Sequence, residues 1–429
     1  MKKYLSIFIL LLSVSVFAQQ TIEDALFDLP DIRFKNISRE GSSMVVYECY
    51  VKQPIDHKDE SKGHFYQKIH LVHVGFDAPT VMNTNGYNLN YGRNEVATIL
   101  DANYINIEHR FFGESVPEPK DWKYLTLEQA TADLHHINQI FKEIYNKKWV
   151  STGISKGGQT TIFYRYFYPN DVDVSMPYVA PLNLDFEDKR IYKFLDTIGT
   201  KECRDKIFHV QKTLLKNREE VLMKLLWFAK GAGYDFDYLE DFEKAFEYAV
   251  LEYSFSFWQW GSDCNDLPTG DDVDSYIRSF LDIAGLSFYD DKSMDSFGPH
   301  YYQASTQMGY YGFETKKFKK LIKALPKNPH ASFAPKDAGE LNFSNKLPKQ
   351  VDKWLEKNGN NFVYIYGAND TWSATRVIPS DQVNALYYHM AGRSHADARI
   401  KNLTDKEKKQ LEETLEKWLG EEVDMSKLN

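Results

Sequence analysis

Residues 149–158 read Trp-Val-Ser-Thr-Gly-Ile-Ser-Lys-Gly-Gly, a short apolar run that ends in the pattern G-x-S-x-G. This pattern is typical of a nucleophile elbow, a tight turn between a strand and a helix in which the flanking glycines avoid steric clashes. The turn exposes the hydroxyl of Ser155, and the backbone N–H of Lys156 points toward a developing oxyanion. The stretch therefore predicts a strand–turn–helix unit that carries a serine nucleophile.

The segments on either side supply the context that the motif requires. A helical pattern precedes it, opened by the capping-box spacing Thr126…Gln129, with one apolar face made of Leu127, Ala130, Leu134, Ile137, Phe141 and Ile144. A helix-compatible segment, residues 159–168, and a strand-like run, residues 172–180, follow it. This alternation predicts an α/β fold with parallel strands.

Further strands are expected at residues 43–53, 65–76, 104–108, 361–366 and 385–389, and a closing helix at 404–420. Between about 188 and 330 the pattern is helical and rich in aromatic residues, and the proline-containing stretch 326–348 is interpreted as a return linker. We therefore predict an α/β-hydrolase sheet in two parts, 19–187 and 346–429, with an inserted helical cap at 188–345.

The first eighteen residues have the features of a signal peptide. Lys2 and Lys3 precede the apolar stretch 4–14, and Val16-Phe17-Ala18 forms a cleavage site before Gln19. No cysteine follows directly, so a lipid anchor is not indicated. The expected mature chain is secreted or periplasmic and not bound to a membrane, and an uncleaved anchor is the alternative.

Charge and cysteine content narrow the classes of partner. The formal net charge of −9 becomes −11 without the two N-terminal lysines, which argues against nucleic acid and anionic membranes as partners. There are three cysteines, Cys49, Cys203 and Cys264. Cys203 and Cys264 could form a bridge in an oxidising compartment, but the sequence leaves this open, as it does the oligomeric state.

A serine nucleophile needs a histidine base and an acid that orients the base. In the α/β-hydrolase layout, the order along the chain is serine, then acid, then histidine. Asp370 comes three residues after Gly367, the glycine that ends a late apolar strand-like run, and His395 lies in a loop after the next run. His389, inside that second run, is the alternative base. Asp370 as a turn cap and His395 as a solvated loop residue are the non-catalytic alternatives.

The sequence predicts neither a metal nor a cofactor. It contains no C-x-x-C, no H-E-x-x-H and no G-x-G-x-x-G after a strand. The neighbouring His135 and His136 would point about 100° apart on a helix, so they are interpreted as surface residues.

Four stretches together resemble the secreted bacterial prolyl tri/tetrapeptidyl aminopeptidases, and more distantly prolyl carboxypeptidase and dipeptidyl peptidase II. These stretches are residues 84–88 (Thr-Asn-Gly-Tyr-Asn), 108–115 (Glu-His-Arg-Phe-Phe-Gly-Glu-Ser), 153–158 and 366–372 (Tyr-Gly-Ala-Asn-Asp-Thr-Trp). The resemblance implies an α/β-hydrolase core, a helical cap and a Ser155-Asp370-His395 triad. It also implies the release of short peptides, often ending in proline, from free N-termini. Thr371 departs from the proline expected there, which predicts a slightly looser acid loop and a less secure proline preference.

The sequence also predicts contacts with the substrate. The Lys156 N–H and an N–H from the Gly86-Tyr87 loop would bind the oxyanion. Trp258 or Trp260, with Trp372, would wall a pocket for a proline ring, the alternative being packing inside the cap. Glu252 would pair with the substrate ammonium, the alternative being a surface glutamate at the end of a helix over 239–251. Arg110 and Glu114 are expected to brace the elbow as members of a buried ion-pair or hydrogen-bond network, the alternative being a place in the substrate site.

Two other functions remain open: a carboxylesterase on the same fold, and an inactive binding protein on a hydrolase scaffold.

Overall fold

The computed structural model describes residues 20–42, 44–89, 92–325 and 333–428. The predicted signal peptide lies outside these ranges, as do residues 326–332 of the expected return linker.

One mixed sheet of nine strands forms the centre of the described structure. The strands are β1 (Ile32–Asn36), β2 (Val45–Pro54), β3 (His64–His73), β4 (Thr80–Asn83), β5 (Asn103–Ile107), β6 (Trp149–Ile154), β7 (Val174–Tyr178), β8 (Phe362–Gly367) and β9 (Ala385–Met390). Their order across the sheet is β1-β2-β3-β5-β4-β6-β7-β8-β9. Strands β1, β2, β3 and β5 pair antiparallel, and all pairs from β5 to β9 are parallel. This topology confirms the predicted α/β-hydrolase fold.

Twelve α-helices accompany the sheet in the described ranges: α1 (Ile22–Asp28), α2 (Glu95–Ile99), α3 (Leu127–Lys142), α4 (Lys156–Phe167), α5 (Lys189–Thr197), α6 (Lys201–Lys216), α7 (Arg218–Ala232), α8 (Phe242–Trp260), α9 (Val273–Ile283), α10 (Asp291–Gln303), α11 (Lys346–Asn358) and α12 (Asp405–Leu419). Helices α3, α4 and α11 pack on one face of the sheet, and α2 and α12 on the other. With both faces covered, β7 and β8 are buried along their whole length, which explains why their sequences read as continuous apolar runs.

Helices α5 to α10 follow β7 and precede β8, within the predicted segment 188–345. They share an apolar cluster rich in aromatic residues that is separate from the clusters on the sheet. A disulfide joins Cys203 on α6 to Cys264, which lies just after α8, with their Cα atoms 5.5 Å apart, while Cys49 is free and buried. The pairing that the sequence left open is therefore formed in the structure.

Three element predictions were wrong in detail. Helix α4 begins at Lys156, directly after the elbow, and not at Gln159. Strands β1 and β4, of five and four residues, were not predicted because such short runs carry little periodicity. Helix α8 continues to Trp260, well past residue 251, and its aromatic run is accommodated because the helix is buried on several sides.

Candidate active site

The G-x-S-x-G stretch forms the elbow between β6 and α4. Ser155 has φ 58° and ψ −122°, a conformation that is rare for a residue with a side chain and typical of strained functional turns. Gly153 is required by the close packing of the turn, because a Cβ there would lie 2.3 Å from the carbonyl carbon and oxygen of Gly157. The Ser155 side chain is part-exposed and faces a large cavity.

Asp370 and His395 meet at the carboxyl ends of β8 and β9. His395 Nδ1 donates to Asp370 Oδ2 at 2.8 Å, and both side chains are nearly or fully buried. Because a carboxylate only accepts hydrogen bonds, this contact places the proton on Nδ1 and leaves Nε2 as an acceptor. Asp370 Oδ1 also accepts from the Trp372 N–H at 3.0 Å. His389, the alternative base, lies exposed on β9 and does not line the cavity.

Helix α8 holds both of these loops in place. The buried Thr371 hydroxyl donates to the Phe255 carbonyl at 2.9 Å, and the His395 N–H donates to the Gln259 carbonyl at 2.9 Å. The expectation that Thr371 loosens the acid loop was therefore wrong, because its hydroxyl provides a tie to α8 that a proline at this position lacks. The helical segment thus helps to position the loops that carry Asp370 and His395.

A cavity of about 710 Å³ connects the predicted site residues. Its walls include the following predicted residues: Tyr87, Ser155, Lys156, Glu252, Trp260, Trp372 and His395. On α8 the lining residues Glu252, Ser256 and Gln259 follow helical spacing, so one face of this helix forms part of the wall.

Trp258 is not part of this cavity. Its side chain is 6% exposed and packs against Phe257. The indole also packs closely on Gly199, because a Cβ added to that glycine would lie 2.4 Å from the ring. It borders a different cavity, of about 550 Å³. Successive helical residues are rotated by 100°, so Trp258 and Trp260 face nearly opposite directions. Trp260 instead contacts the His395 ring edge to face, with centroids 5.8 Å apart.

The side chain of Lys156 contacts the loop that carries Gly86 and Tyr87. Its Nζ donates to the Gly86 carbonyl at 2.7 Å and lies 5.5 Å and 5.3 Å from the ring centroids of Tyr87 and Phe112. Lys156 is only 2% exposed, and this burial holds the pKa of its amino group well below the usual range. The Gly86 N–H donates to Asn85 Oδ1 at 3.2 Å, which leaves Tyr87 as the better candidate for a second oxyanion donor.

Glu252 lies inside α8 and is buried, not on the surface at a helix end. One carboxyl oxygen accepts from the Tyr311 hydroxyl at 2.6 Å and the other from the Ser256 hydroxyl at 3.2 Å. Burial raises the pKa of Glu252 to about 8, against the smaller lowering effect of these two hydrogen bonds. In the part of the chain that the structure describes, neither hydrogen-bond partner of the Glu252 carboxyl group is a cation.

Sequence reasoning missed several polar residues of the cavity: Gln159, Asn183, His300 and Tyr311. Gln159 could have been found, because it lies one helical turn after Ser155. The others come from distant segments and carry no local signal. Burial, reinforced by the nearby Lys156 charge, lowers the pKa of His300 to about 3, so this imidazole is neutral at physiological pH.

Most of the polar groups in residues 108–115 have a structural role. Arg110 is fully buried and pairs through two nitrogens with Asp133, at 2.6 and 2.7 Å. Glu108 accepts from the Ser115 hydroxyl and from backbone N–H groups of the same turn. Glu114, expected to be buried, is exposed and binds Lys68 at the surface. None of these four residues of the stretch lines the cavity.

Within the described ranges, no group of three or more His, Cys, Asp or Glu side chains could hold a metal ion. His135 and His136 contact different partners, Asp171 and Gln53. In the same part of the chain, no helix combines the length and apolar character needed to cross a membrane.

The chain is similar to several known proteins. The prolyl tri/tetrapeptidyl aminopeptidase of Streptomyces mobaraensis is 34% identical over 411 residues, covering 94% of this chain and 86% of the relative. The human lysosomal Pro-X carboxypeptidase is 31% identical over 105 residues, 22% of this chain and 21% of the relative. Among solved structures, proline iminopeptidase of Mycobacterium smegmatis aligns with a TM-score of 0.42 and 12% identity, covering 86% of this chain and 97% of that one. The PS-10 peptidase S37 family matches residues 19–426, and the chain belongs to this peptidase family.

Proposed function

We propose that this protein is an exported serine exopeptidase that releases tri- or tetrapeptides from free N-termini, with a preference for proline before the cleaved bond. One observation carries the proposal: the cavity that holds Ser155 and His395 also holds the buried carboxyl group of Glu252. A hydrolytic centre and an acidic group without a cationic hydrogen-bond partner in one cavity fit a substrate with an ammonium group at a fixed distance from the scissile bond.

In the proposed reaction, the Ser155 hydroxyl attacks the carbonyl carbon of the scissile bond and His395 Nε2 takes the hydroxyl proton. His395 then gives this proton to the leaving amine, which departs with the remainder of the peptide. A water molecule attacks the acyl-enzyme in the same way and regenerates Ser155. Asp370 holds the imidazole in the required tautomer and stabilises the imidazolium through the 2.8 Å contact.

The Lys156 N–H, at the start of α4, and the Tyr87 N–H would bind the oxyanion of the tetrahedral intermediates. Lys156 N is at the first position of the helix, where no intrahelical acceptor exists for it. The bond from Lys156 Nζ to the Gly86 carbonyl supports the second donor. In a trans peptide the C=O and the next N–H point in opposite directions, so this bond also fixes where the Tyr87 N–H points.

Glu252 would receive the N-terminal ammonium of the substrate. Because burial raises its pKa to about 8, the charged carboxylate is costly in the empty cavity, and a bound ammonium group would stabilise it. The Tyr311 and Ser256 hydroxyls would hold the carboxylate in one orientation. This arrangement supports an aminopeptidase over an endopeptidase.

The proline preference rests on the aromatic walls and on the named relatives. Trp260 and Trp372 line the cavity, and Trp372 lies 5.7 Å from Tyr310 and 5.3 Å from Tyr311 between ring centroids. Aromatic faces of this kind suit a proline ring. The Streptomyces mobaraensis relative is named for prolyl tri/tetrapeptides. Export rests on the signal-peptide pattern of residues 1–18.

The proposal is tested with a free tripeptidyl substrate ending in proline and its N-acetylated form. The native protein should cleave the free form far better, and Glu252→Gln should raise KM for it by about 10- to 150-fold, since a hydrogen bond to a charged group contributes about 1.5–3 kcal/mol. Equal cleavage of free and acetylated peptides would exclude an aminopeptidase.

The serine mechanism is tested separately with Ser155→Ala. This variant should remain folded, lose peptide hydrolysis and no longer react with a fluorophosphonate, because only the nucleophile is removed. An active His395→Ala variant together with an inactive His389→Ala variant would show that the base was assigned to the wrong histidine. Turnover of a simple acyl ester in the absence of any peptide hydrolysis would favour the carboxylesterase alternative.

A further inference from the structure

Two buried side-chain amides in the cavity have polar atoms without a hydrogen-bond partner among the described residues. These atoms are Nε2 of Gln159 and Oδ1 of Asn183, and each side chain is only 2% exposed. Both residues line the cavity that holds Ser155. The other end of the Asn183 amide is fixed, because its Nδ2 donates to the Met308 carbonyl at 3.3 Å. One unpaired donor and one unpaired acceptor therefore belong to residues that line the same cavity.

Both amides belong to packed elements that border the cavity. Gln159 lies one turn after Ser155 on α4, and its N–H donates to the Ser155 carbonyl at 2.9 Å. Residues at this spacing lie on the same side of a helix. Asn183 follows the end of β7 and packs against Gly309, where a Cβ would lie 2.9 Å from the Asn183 Cβ. The Gln159 backbone and the Asn183 side chain are thus held by packed elements.

Buried polar groups without partners are rare in folded proteins, because they lose their bonds to water and gain nothing in return. Where such groups face a substrate cavity, the substrate is the natural source of the missing partners. A side-chain N–H donor and a side-chain oxygen acceptor together match one peptide unit, which offers a carbonyl oxygen and an N–H.

We propose that Gln159 and Asn183 form a subsite for one peptide unit of the substrate's acyl part, with Gln159 Nε2 donating to its carbonyl and Asn183 Oδ1 accepting from its N–H. This inference rests on the proposed function. The acyl part is the portion between Ser155, which would attack the scissile carbonyl, and Glu252, which would hold the amino terminus.

The chemistry of proline identifies which peptide unit this is. When proline precedes the cleaved bond, the peptide unit before the proline has no N–H and cannot donate to Asn183. The first unit that carries an N–H is the one between the two residues before the proline. The released fragment must therefore contain at least three residues to use the subsite, and this length requirement follows from the Asn183 acceptor.

The test uses alanyl-alanyl-prolyl p-nitroanilide and its analogue with an ester in place of the first amide, which replaces the N–H by an oxygen atom. The native protein should cleave the amide about 5- to 100-fold more efficiently, in kcat/KM, than the ester analogue. Asn183→Leu should lower kcat/KM for the amide by a similar factor and cleave the two substrates at nearly equal efficiency. Alanyl-prolyl p-nitroanilide should be a poor substrate for both proteins.

Gln211→Leu is the matched control. Gln211 is also a buried amide, but its Nε2 donates to the Val250 carbonyl at 2.8 Å and it lies outside this cavity. This variant should lose stability and keep the native preference for the amide. Asn183→Ala serves as a second variant if Asn183→Leu does not fold. A native protein that cleaves both analogues equally, or a variant that keeps the full preference, would overturn the subsite. No cleavage of any free peptide would instead overturn the proposed function.

Discussion

Replacing Lys156 with methionine is expected to slow the chemical step and to leave substrate binding nearly unchanged. The lysine Nζ makes one short hydrogen bond, to the Gly86 carbonyl at 2.7 Å, and the Lys156 side chain is buried. Through the Gly86–Tyr87 peptide this bond orients the Tyr87 N–H, the proposed second oxyanion donor. Methionine keeps the unbranched shape of the side chain and removes only the donor.

The expected loss in kcat is limited by the known cost of losing an oxyanion donor. Complete loss of an oxyanion donor costs about 2.7–4 kcal/mol. Lys156→Met leaves the Tyr87 N–H in the loop and releases only its orientation, so the loss should be smaller, about 1.5–3 kcal/mol, the range for a hydrogen bond to a charged group. This corresponds to a decrease in kcat of about 10- to 150-fold. KM should change less than threefold by this estimate, because Glu252 and the aromatic walls are untouched.

Three measurements distinguish this positioning role from a role in stability. Steady-state kinetics should assign the loss to kcat. A peptide boronate forms a tetrahedral adduct with the serine, and its affinity should fall by the same factor as kcat/KM. Thermal unfolding should show no loss of stability, since the variant removes a buried amino group that lacks a carboxylate partner. Lys148→Met, which removes a surface pair with Asp173, is the control. Unchanged boronate affinity, or a higher KM at normal kcat, would refute the argument.

The structure supports three further predictions. Trp258→Ala should destabilise the fold by about 3–5 kcal/mol in chemical denaturation, as for other buried tryptophans. The Trp260 side chain is 56% exposed, so Trp260→Ala should cost little stability. Trp260→Ala should instead lower kcat/KM for proline substrates more than for alanine substrates. Equal kinetic losses in the two variants would mean that Trp260 only packs. Gly153→Ala should abolish folded yield and fluorophosphonate labelling, because its Cβ would clash with the first turn of α4, while Gly231→Ala, which meets nothing within 4 Å, should be tolerated. Burial raises the pKa of Glu252 from 4.5 to about 8, so ionisation of this side chain costs the folded state more than the unfolded chain. The stability of Glu252→Gln relative to the native protein should therefore increase as pH rises from 4.5 to 8 and stay constant above pH 8. A stability difference that does not depend on pH would contradict the shift.

The fold class and the proposed catalytic residues could be predicted from the sequence because their signals are local. A strand, a tight turn and a helix lie within the twenty residues around Ser155, and the turn demands glycine at Gly153 whatever packs around it. Asp370 and His395 each follow a recognisable strand, and the order of parallel strands brings the ends of β8 and β9 together. Local patterns of this kind depend on backbone sterics and periodicity, which neighbouring residues are sufficient to set.

The substrate side of the cavity depends instead on the angle at which helices pack. The sequence could not separate Trp258 from Trp260, because both lie in one aromatic run and only the rotation of α8 against β8 and β9 decides which one faces His395. Glu252 read equally well as a surface residue until Tyr311, from a segment 59 residues away, was seen to bind it. Thr371 and Asn183 likewise take their roles from contacts made across the chain. These contacts follow from long-range packing, which brings together side chains whose spacing along the sequence carries no information about their meeting.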